Sequence, residues 1–588
     1  MPHPVLAQKE YPALNVYRSS WSGFTAVAFF SIFVNFGALV SPLYMQQIFD
    51  RVMQSRHLET LLYLTLIVIF FLAVIAVLDG IRSAILANIS KWWDETVRAD
   101  LVKAVIQTAR AQGLSHAHAV NDLITIRQFV GSSGVLPFFD GPWVPFFILA
   151  ITLIHPALGI VATVAAVLLL ALAFVNDRLT RKTMEGIGGA RSRAQSTIDI
   201  AAQNAETVHS MGMLSGVLQR FDKDNSQVSD ATHKVALITA RTSAISKFIR
   251  YTAQIGVLGL GAYYATLGEI TSGGMIAASI IMGRALAPAE QALSAWRGLV
   301  GTIQAHQRLT RLFLNAPVQH ERTRQPMPRG HVTLNRVTLF FKGLEKPVLR
   351  DINLDLSPGK LVALIGSSAS GKSTLCKLLI GSLTPSSGSV RLDGAAIQNW
   401  DADQLGRTIG YLAQNVQLLP GTVKENISRL GEGDDRLVVA AAQMAGCHDL
   451  INSLPNGYET VVGPGGHNLS GGQAQRIGLA RAIYGQPKLI VLDEPNANLD
   501  SEGEAALQSC VLALRDMEST VIIVSHRPFA LSKVDLIISM KDGSIEKMQT
   551  GEEYMKRAVK PLNNILEKIG QIKDMKDASA AGQDREDV

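Results

Sequence analysis

Cysteine is almost missing from this chain. The three present, Cys376, Cys447 and Cys510, all lie in the second half, and none has metal-ligand spacing. That excludes a disulfide framework and a cysteine-built metal site, and the three read as reduced cytosolic thiols. Charged residues make up only 18% of the chain and aromatic residues 6%. The net charge of +6 comes without a basic stripe interleaved with aromatics, which argues against nucleic-acid binding. Residues 1–20 lack a long apolar core, so no cleavable signal is expected and the first apolar run is itself the membrane-targeting element. There is no internal repeat.

What the chain has instead is apolar length. It counts 588 residues, too many for one ordinary domain, and 47% of them are hydrophobic. Six segments, at 24–45, 61–78, 136–153, 158–175, 255–267 and 275–286, approach the roughly 20 apolar residues that cross a bilayer. The last two are short or interrupted. Positive residues orient the spans. Arg82, Lys91, Arg98, Lys103, Arg110 and Arg127 follow the second segment, and a longer run from Arg178 to Lys247 follows the fourth. The turns after the third and fifth carry no Lys or Arg, and only Arg51 and Arg56 after the first dissent. The two charged loops and both termini are therefore expected in the cytoplasm. Both loops are rich in Ala, Gln and Leu. They read as helical extensions of the spans, each tipped by a short transverse helix near 108–116 and 206–216 that would rest on the domain formed by the second half of the chain.

The expected organisation is a cytoplasmic arm over 1–20 and a six-helix transmembrane domain over 21–313. A Pro-rich linker over 314–330, an α/β nucleotide-binding domain over 331–560 and a charged tail over 561–588 follow. The nucleotide-binding assignment rests on Gly366-Ser367-Ser368-Ala369-Ser370-Gly371-Lys372-Ser373, a G-x-x-x-x-G-K-S phosphate loop. It sits between an apolar strand, Leu361-Val362-Ala363-Leu364-Ile365, and a helical pattern that opens at Thr374, which is the context this motif needs. Its backbone amides and helix start cradle phosphates, Lys372 supplies charge and Ser373 offers a hydroxyl to Mg²⁺. Farther on, Leu489-Ile490-Val491-Leu492 reads as a buried strand ending at Asp493-Glu494. Asp493 is placed to hold Mg²⁺ and Glu494 to act as general base on the attacking water.

Leu469-Ser470-Gly471-Gly472-Gln473 resembles the LSGGQ signature of ATP-binding-cassette (ABC) ATPases. That resemblance implies further roles. His526, closing the apolar strand Val521-Ile522-Ile523-Val524, falls where the family has a switch histidine at the terminal phosphate. Gln414 looks like the Q-loop glutamine that senses Mg²⁺, and Asp500 looks like the D-loop aspartate. Phe340 or Phe341, with Phe341 favoured, falls where the family stacks an aromatic on adenine; a strand-core role is the rival reading for either. A complete site of this family places ATP between the phosphate loop of one subunit and the signature of another. With one of each per chain, a homodimer with twelve spans is expected.

Six spans ahead of the ATPase resemble type IV ABC exporters. Gly268 to Pro288, Leu469 to Asp500, Asp122-Leu123-Ile124-Thr125-Ile126-Arg127-Gln128-Phe129 and Phe139-Asp140-Gly141-Pro142-Trp143 resemble the permease–ATPases of bacterial type I secretion. The likeness is to the branch that exports metalloproteases, lipases and haem-binding proteins (PrtD- and HasD-like). It implies an inner-membrane ATPase working with a periplasmic membrane-fusion adaptor and an outer-membrane channel. The implied cargo is unfolded protein with an uncleaved C-terminal signal, often bearing glycine-rich calcium-binding repeats. Two departures stand out. Pro464 in Gly463-Pro464-Gly465-Gly466 replaces a common Glu, and the absence of cysteine before Cys376 leaves no N-terminal cysteine peptidase. The alternatives are export of lipid or small molecules on the same scaffold, and a non-transporting ABC regulator, against which intact Glu494 and His526 count. Arg284, inside the sixth segment, either faces a water-filled path or pairs with an acidic residue of another span.

Overall fold

The computed structural model describes residues 19–112, 118–316, 324–341, 343–463, 469–525 and 533–554. The chain divides into two compact units, Met1–Val318 and Gln319–Val588. The first unit is helical. Its longest helix, Leu58–Gln112, has 55 residues with no proline. At 1.5 Å per residue it is about 80 Å long, more than twice the hydrocarbon thickness of a bilayer. Helices Pro156–Gln203 and Leu214–Thr266 are comparable, and Ser272–Asn315 closes the unit. Each of these helices is longer than the hydrocarbon core of a bilayer requires. Around the second expected tip, a short helix, Ala205–Ser210, is followed by exposed Met211 and Met213 with Gly212 at φ +63°. The first tip lies partly outside the described residues.

Among the described residues, four stretches are long and apolar enough to cross a membrane: Trp21–Ser55, Leu58–Arg110, Ser133–Ile154 and Pro156–Arg181. The segments at 255–267 and 275–286 lie on long helices that do not reach that apolarity, because Arg250 and Gln254 on the first and Arg284 and Glu290 on the second interrupt short apolar runs. The third span is not one helix. Pro137, Pro142 and Pro145 each open a new piece, giving Leu136–Asp140, a 3₁₀ turn at Gly141–Trp143, and Val144–Ile154.

Arg82 lies inside the Leu58–Gln112 helix, as do Lys91, Arg98, Lys103 and Arg110, and it is buried. Its guanidinium pairs with Asp79 at 2.7 Å and Asp140 at 2.6 Å and donates to the Ser31 hydroxyl. Asn35 donates to the same Asp140 oxygen. A buried guanidinium is costly unless its charge is met by carboxylates and hydrogen bonds; here two carboxylates and a hydroxyl meet its Nη atoms, and Nε has no partner. Asp122 is used in the same way. It takes a bidentate contact from Arg308, at 2.6 and 3.0 Å, which ties helix His118–Val130 to the last helix.

The second unit is α/β. Its strands are β1 Val332–Leu339, β2 Leu349–Leu356, β3 Leu361–Gly366, β4 Ser387–Leu392, β5 Ala395–Ala396 and β6 Ile409–Leu412. After them come β7 Gly421–Thr422, β8 Val461–Val462, β9 Leu489–Asp493, β10 Thr520–Val524, β11 Leu536–Lys541 and β12 Ser544–Thr550. The main sheet has the order β12-β11-β3-β10-β9-β6, parallel except for β12. Every residue of β9 and β10 is buried, the continuous apolar pattern of a sheet covered on both faces. An antiparallel sheet, β2-β1-β4-β5, completes the unit. The parallel strands end together at one edge, and the nucleotide motifs follow those ends.

Candidate nucleotide site

The phosphate loop leaves β3 at Gly366, whose φ is +153°, and a Cβ there would meet the Met540 carbonyl oxygen at 2.3 Å. Gly371, at φ +97°, caps helix Lys372–Leu379 and presses on Leu349. Only glycine fits such backbone without strain, which is why the motif is legible. Ser367, Ser368 and Ala369 are exposed on the turn, while Ser370 is buried. Ser373 and Thr374 lie half-buried in the helix's first turn. The Lys372 amine folds back on the loop, donating to the carbonyl oxygens of Gly366 and Ser367 at 2.8 Å each.

Asp493 ends β9 beside this loop and is 2% exposed. Burial pushes its carboxyl above the usual range, against a hydrogen bond from Ser373 that works the other way. Its Oδ1 has no hydrogen-bond partner. A buried carboxylate oxygen left unpaired next to a serine hydroxyl fits a divalent cation, and Ser373 with Asp493 would hold it. Glu494 follows at φ +50°. Its Oε2 accepts a 2.9 Å hydrogen bond from the Gln414 amide, just past β6. The loop, Asp493, Glu494 and Gln414 are thus brought together at the ends of β3, β9 and β6. His526 and the Gly465-Gly466 segment with Pro464 lie outside the described residues. Phe340 and Phe341 follow the end of β1 and are both exposed, so neither is a core residue.

Signature residues open helix Gly471–Ile483. Ser470 Oγ accepts from the Gln473 N–H while the Gln473 side chain accepts from the Ser470 N–H, a reciprocal capping box. Leu469 packs partly buried against the core behind it. Gly471 and Gly472 keep the helix start bare, and Gly472 lies against the Asn498 carbonyl, where a Cβ would stand 2.8 Å away. Asp500 caps helix Ser501–Asp516 by accepting from Gly503 N–H at 2.9 Å. Gln475 and Arg476, which sequence reasoning passed over, also touch this segment. Their only sequence signal is their place on the signature helix. Arg284 is exposed and makes no ion pair among the described residues.

A P-loop ATPase site on a cassette with its own signature, carried behind a helical membrane unit, defines the class as a transport ATPase. Comparison with known proteins agrees. The family model "ABC transporter transmembrane region" matches residues 24–286 and "ABC transporter" matches 349–497. The type I secretion system ATP-binding protein PrsD of Rhizobium meliloti is 36% identical over 92% of this chain and 94% of that protein. The cyclolysin secretion/processing ATP-binding protein CyaB of Bordetella pertussis is 30% identical over 90% and 75%. A bacterial Atm1-family ABC exporter solved with ATP bound has the same fold, with a TM-score of 0.77 at 19% identity over 92% of this chain and 96% of that one. The chain belongs to the ABC transporters, in the group of type I secretion ATP-binding exporters. It is a membrane-embedded ATPase coupled to transport.

Proposed function

We propose that two copies of this chain bind two ATP molecules, each between the phosphate loop of one copy and the signature of the other. The observation that carries the site is the unpaired, buried oxygen of Asp493, set beside Ser373 and the Lys372 amine. Lys372 leaves its two loop carbonyls for the outer phosphates, which the amides of Gly366 to Thr374 surround. Mg²⁺, held by Ser373 and Asp493 and sensed by Gln414, would neutralise charge on the phosphate oxygens. Phe341 stacks on adenine, and Leu469 to Gln473 of the other copy close over the terminal phosphate with their helix start. Glu494 takes a proton from water as its oxygen attacks the terminal phosphorus and the bond to the ADP oxygen breaks. His526 and Asp500 complete the site from the switch and D-loop positions.

We also infer six membrane passes within 21–313, a linker over 314–330 and the ATPase over 331–560, with both termini and the ATPase on the cytoplasmic side of a bacterial inner membrane. The positive charge of the two long loops supports that orientation. The relatives are secretion proteins, which favours protein cargo over lipid or small molecules. The cargo we infer is unfolded protein with an uncleaved C-terminal signal, passed on through a periplasmic adaptor and an outer-membrane channel. Cells holding this chain, its adaptor and its channel should release such a substrate with an intact C-terminus. Deleting the substrate's C-terminal signal should trap it in the cytoplasm. Release that ignores that deletion would overturn the cargo assignment.

A further inference from the structure

Helix Gly471–Ile483 has a second face at work. Residues 472, 475 and 476, spaced three and four apart, share one side of it. That side lies on the segment between β9 and helix Ser501–Asp516, which carries Glu494 at one end and Asp500 at the other. Gln475 is 2% exposed. Its amide nitrogen donates to the Pro495 carbonyl at 2.6 Å and reaches the Glu494 carbonyl at 3.4 Å. Its amide oxygen accepts the Asn498 N–H at 3.2 Å. One buried side chain thus spans the whole turn that follows Glu494. Arg476 continues the clasp, with Nη2 at 2.5 Å from Asp500 Oδ1.

That turn needs holding. Glu494 sits in the left-handed region, which costs a non-glycine residue about 1 kcal/mol or more and persists only where the surroundings fix it. Its N–H is fixed by the Val524 carbonyl, and its carbonyl by the Ala497 N–H and Gln475. On the other side, the Gly472 backbone stands so close to Asn498 that no side chain would fit between them.

We propose that Gln475, assisted by Arg476, is a positioning residue for Glu494. It fastens the segment bearing the base to the helix whose first turn reads the other copy's ATP. Closing of a signature on nucleotide and placement of that same chain's base are then one rigid movement. One site is mechanically tied to the other through a single helix face. This rests on the reading of Glu494 as general base and of the two sites as shared.

The test uses the full chain in lipid nanodiscs. Gln475→Leu keeps the volume and removes all three hydrogen bonds. It should lower kcat about 100-fold, the scale of a small misplacement of a reacting group, and leave KM for ATP nearly unchanged, because the phosphate loop is untouched. Gln475→Asn keeps an amide but draws it back by one carbon, and should fall between the Leu variant and wild type. It also reads the same split should the Leu variant not fold. In a Glu494→Gln background, Gln475→Leu should cost nothing further in single-turnover hydrolysis of radiolabelled ATP, since there is no base left to place. A kcat within about twofold of wild type, a rise in KM that accounts for the loss, or additive losses in the double variant would each overturn the proposal. Near-normal turnover of Glu494→Gln alone would instead remove the base assignment itself, a separate result.

Discussion

The two units use buried charge in opposite ways. In the membrane unit, carboxylates are spent on holding helices together: Asp140 on Arg82 and Asn35, Asp122 on Arg308, Glu290 on Arg250. In the ATPase unit, Asp493 is more deeply buried than these and keeps one oxygen without a partner, while the Lys372 amine rests on carbonyls of its own loop. In the first arrangement each carboxylate has its cation within the chain, although Nε of Arg82 has no hydrogen-bond partner. The second is complete only with a ligand. A charge that is paired marks architecture, and one left waiting marks chemistry, because an unmatched buried ion is otherwise selected against.

The sharpest way to test this division is at Glu494. Glu494→Gln removes only the base, so turnover should fall by about 100- to 10,000-fold while ATP binding is retained. Phosphate release and nucleotide binding on the same preparation check it. Near-normal phosphate release would break the assignment of chemistry to this edge of the sheet. On the membrane side, Asp140→Ala strips Arg82 of one of its two carboxylates and should destabilise the unit by about 3 kcal/mol, read as a lower thermal midpoint. Replacing Arg82 and Asp140 together with Leu should recover part of that loss, since neither charge is then left alone. Equal midpoints in all three proteins would show that the pair does not hold the helices. The smallest effect is expected at the thiols. All three are buried, and burial pushes Cys447 and Cys510 up to about 12 and raises Cys376 as well. Native protein should resist alkylation and keep its ATPase, and react only once unfolded.

The same contrast explains what could be read beforehand. The phosphate loop was legible because its demands are local: Gly366 and Gly371 stand where no Cβ fits, and Ser470 with Gln473 closes a cap within four residues. β3, β9 and β10 were legible as unbroken apolar runs. The burial of Arg82 was not legible because the carboxylate that meets it, Asp140, is 58 residues away in the chain. The broken third span follows from its prolines, which the apolar count ignored. Gln475 was overlooked because its value lies in backbone atoms of a turn about twenty residues farther along, and nothing in its neighbours announces that contact. Phe341 lost its rival reading only when both rings proved exposed.

The central claim is that each chain holds half of two sites. Ser368 on the phosphate loop and Ser470 on the signature are both exposed, and the three native thiols are buried, so introduced cysteines report with little background. Chains carrying Ser368→Cys are mixed with chains carrying Ser470→Cys, both in the Glu494→Gln background, and treated with a short bifunctional thiol reagent with and without ATP. The account predicts a covalent pair made of one chain of each kind, formed more readily with ATP. Links only within a chain when both cysteines are placed together, and none between chains with ATP present, would contradict it.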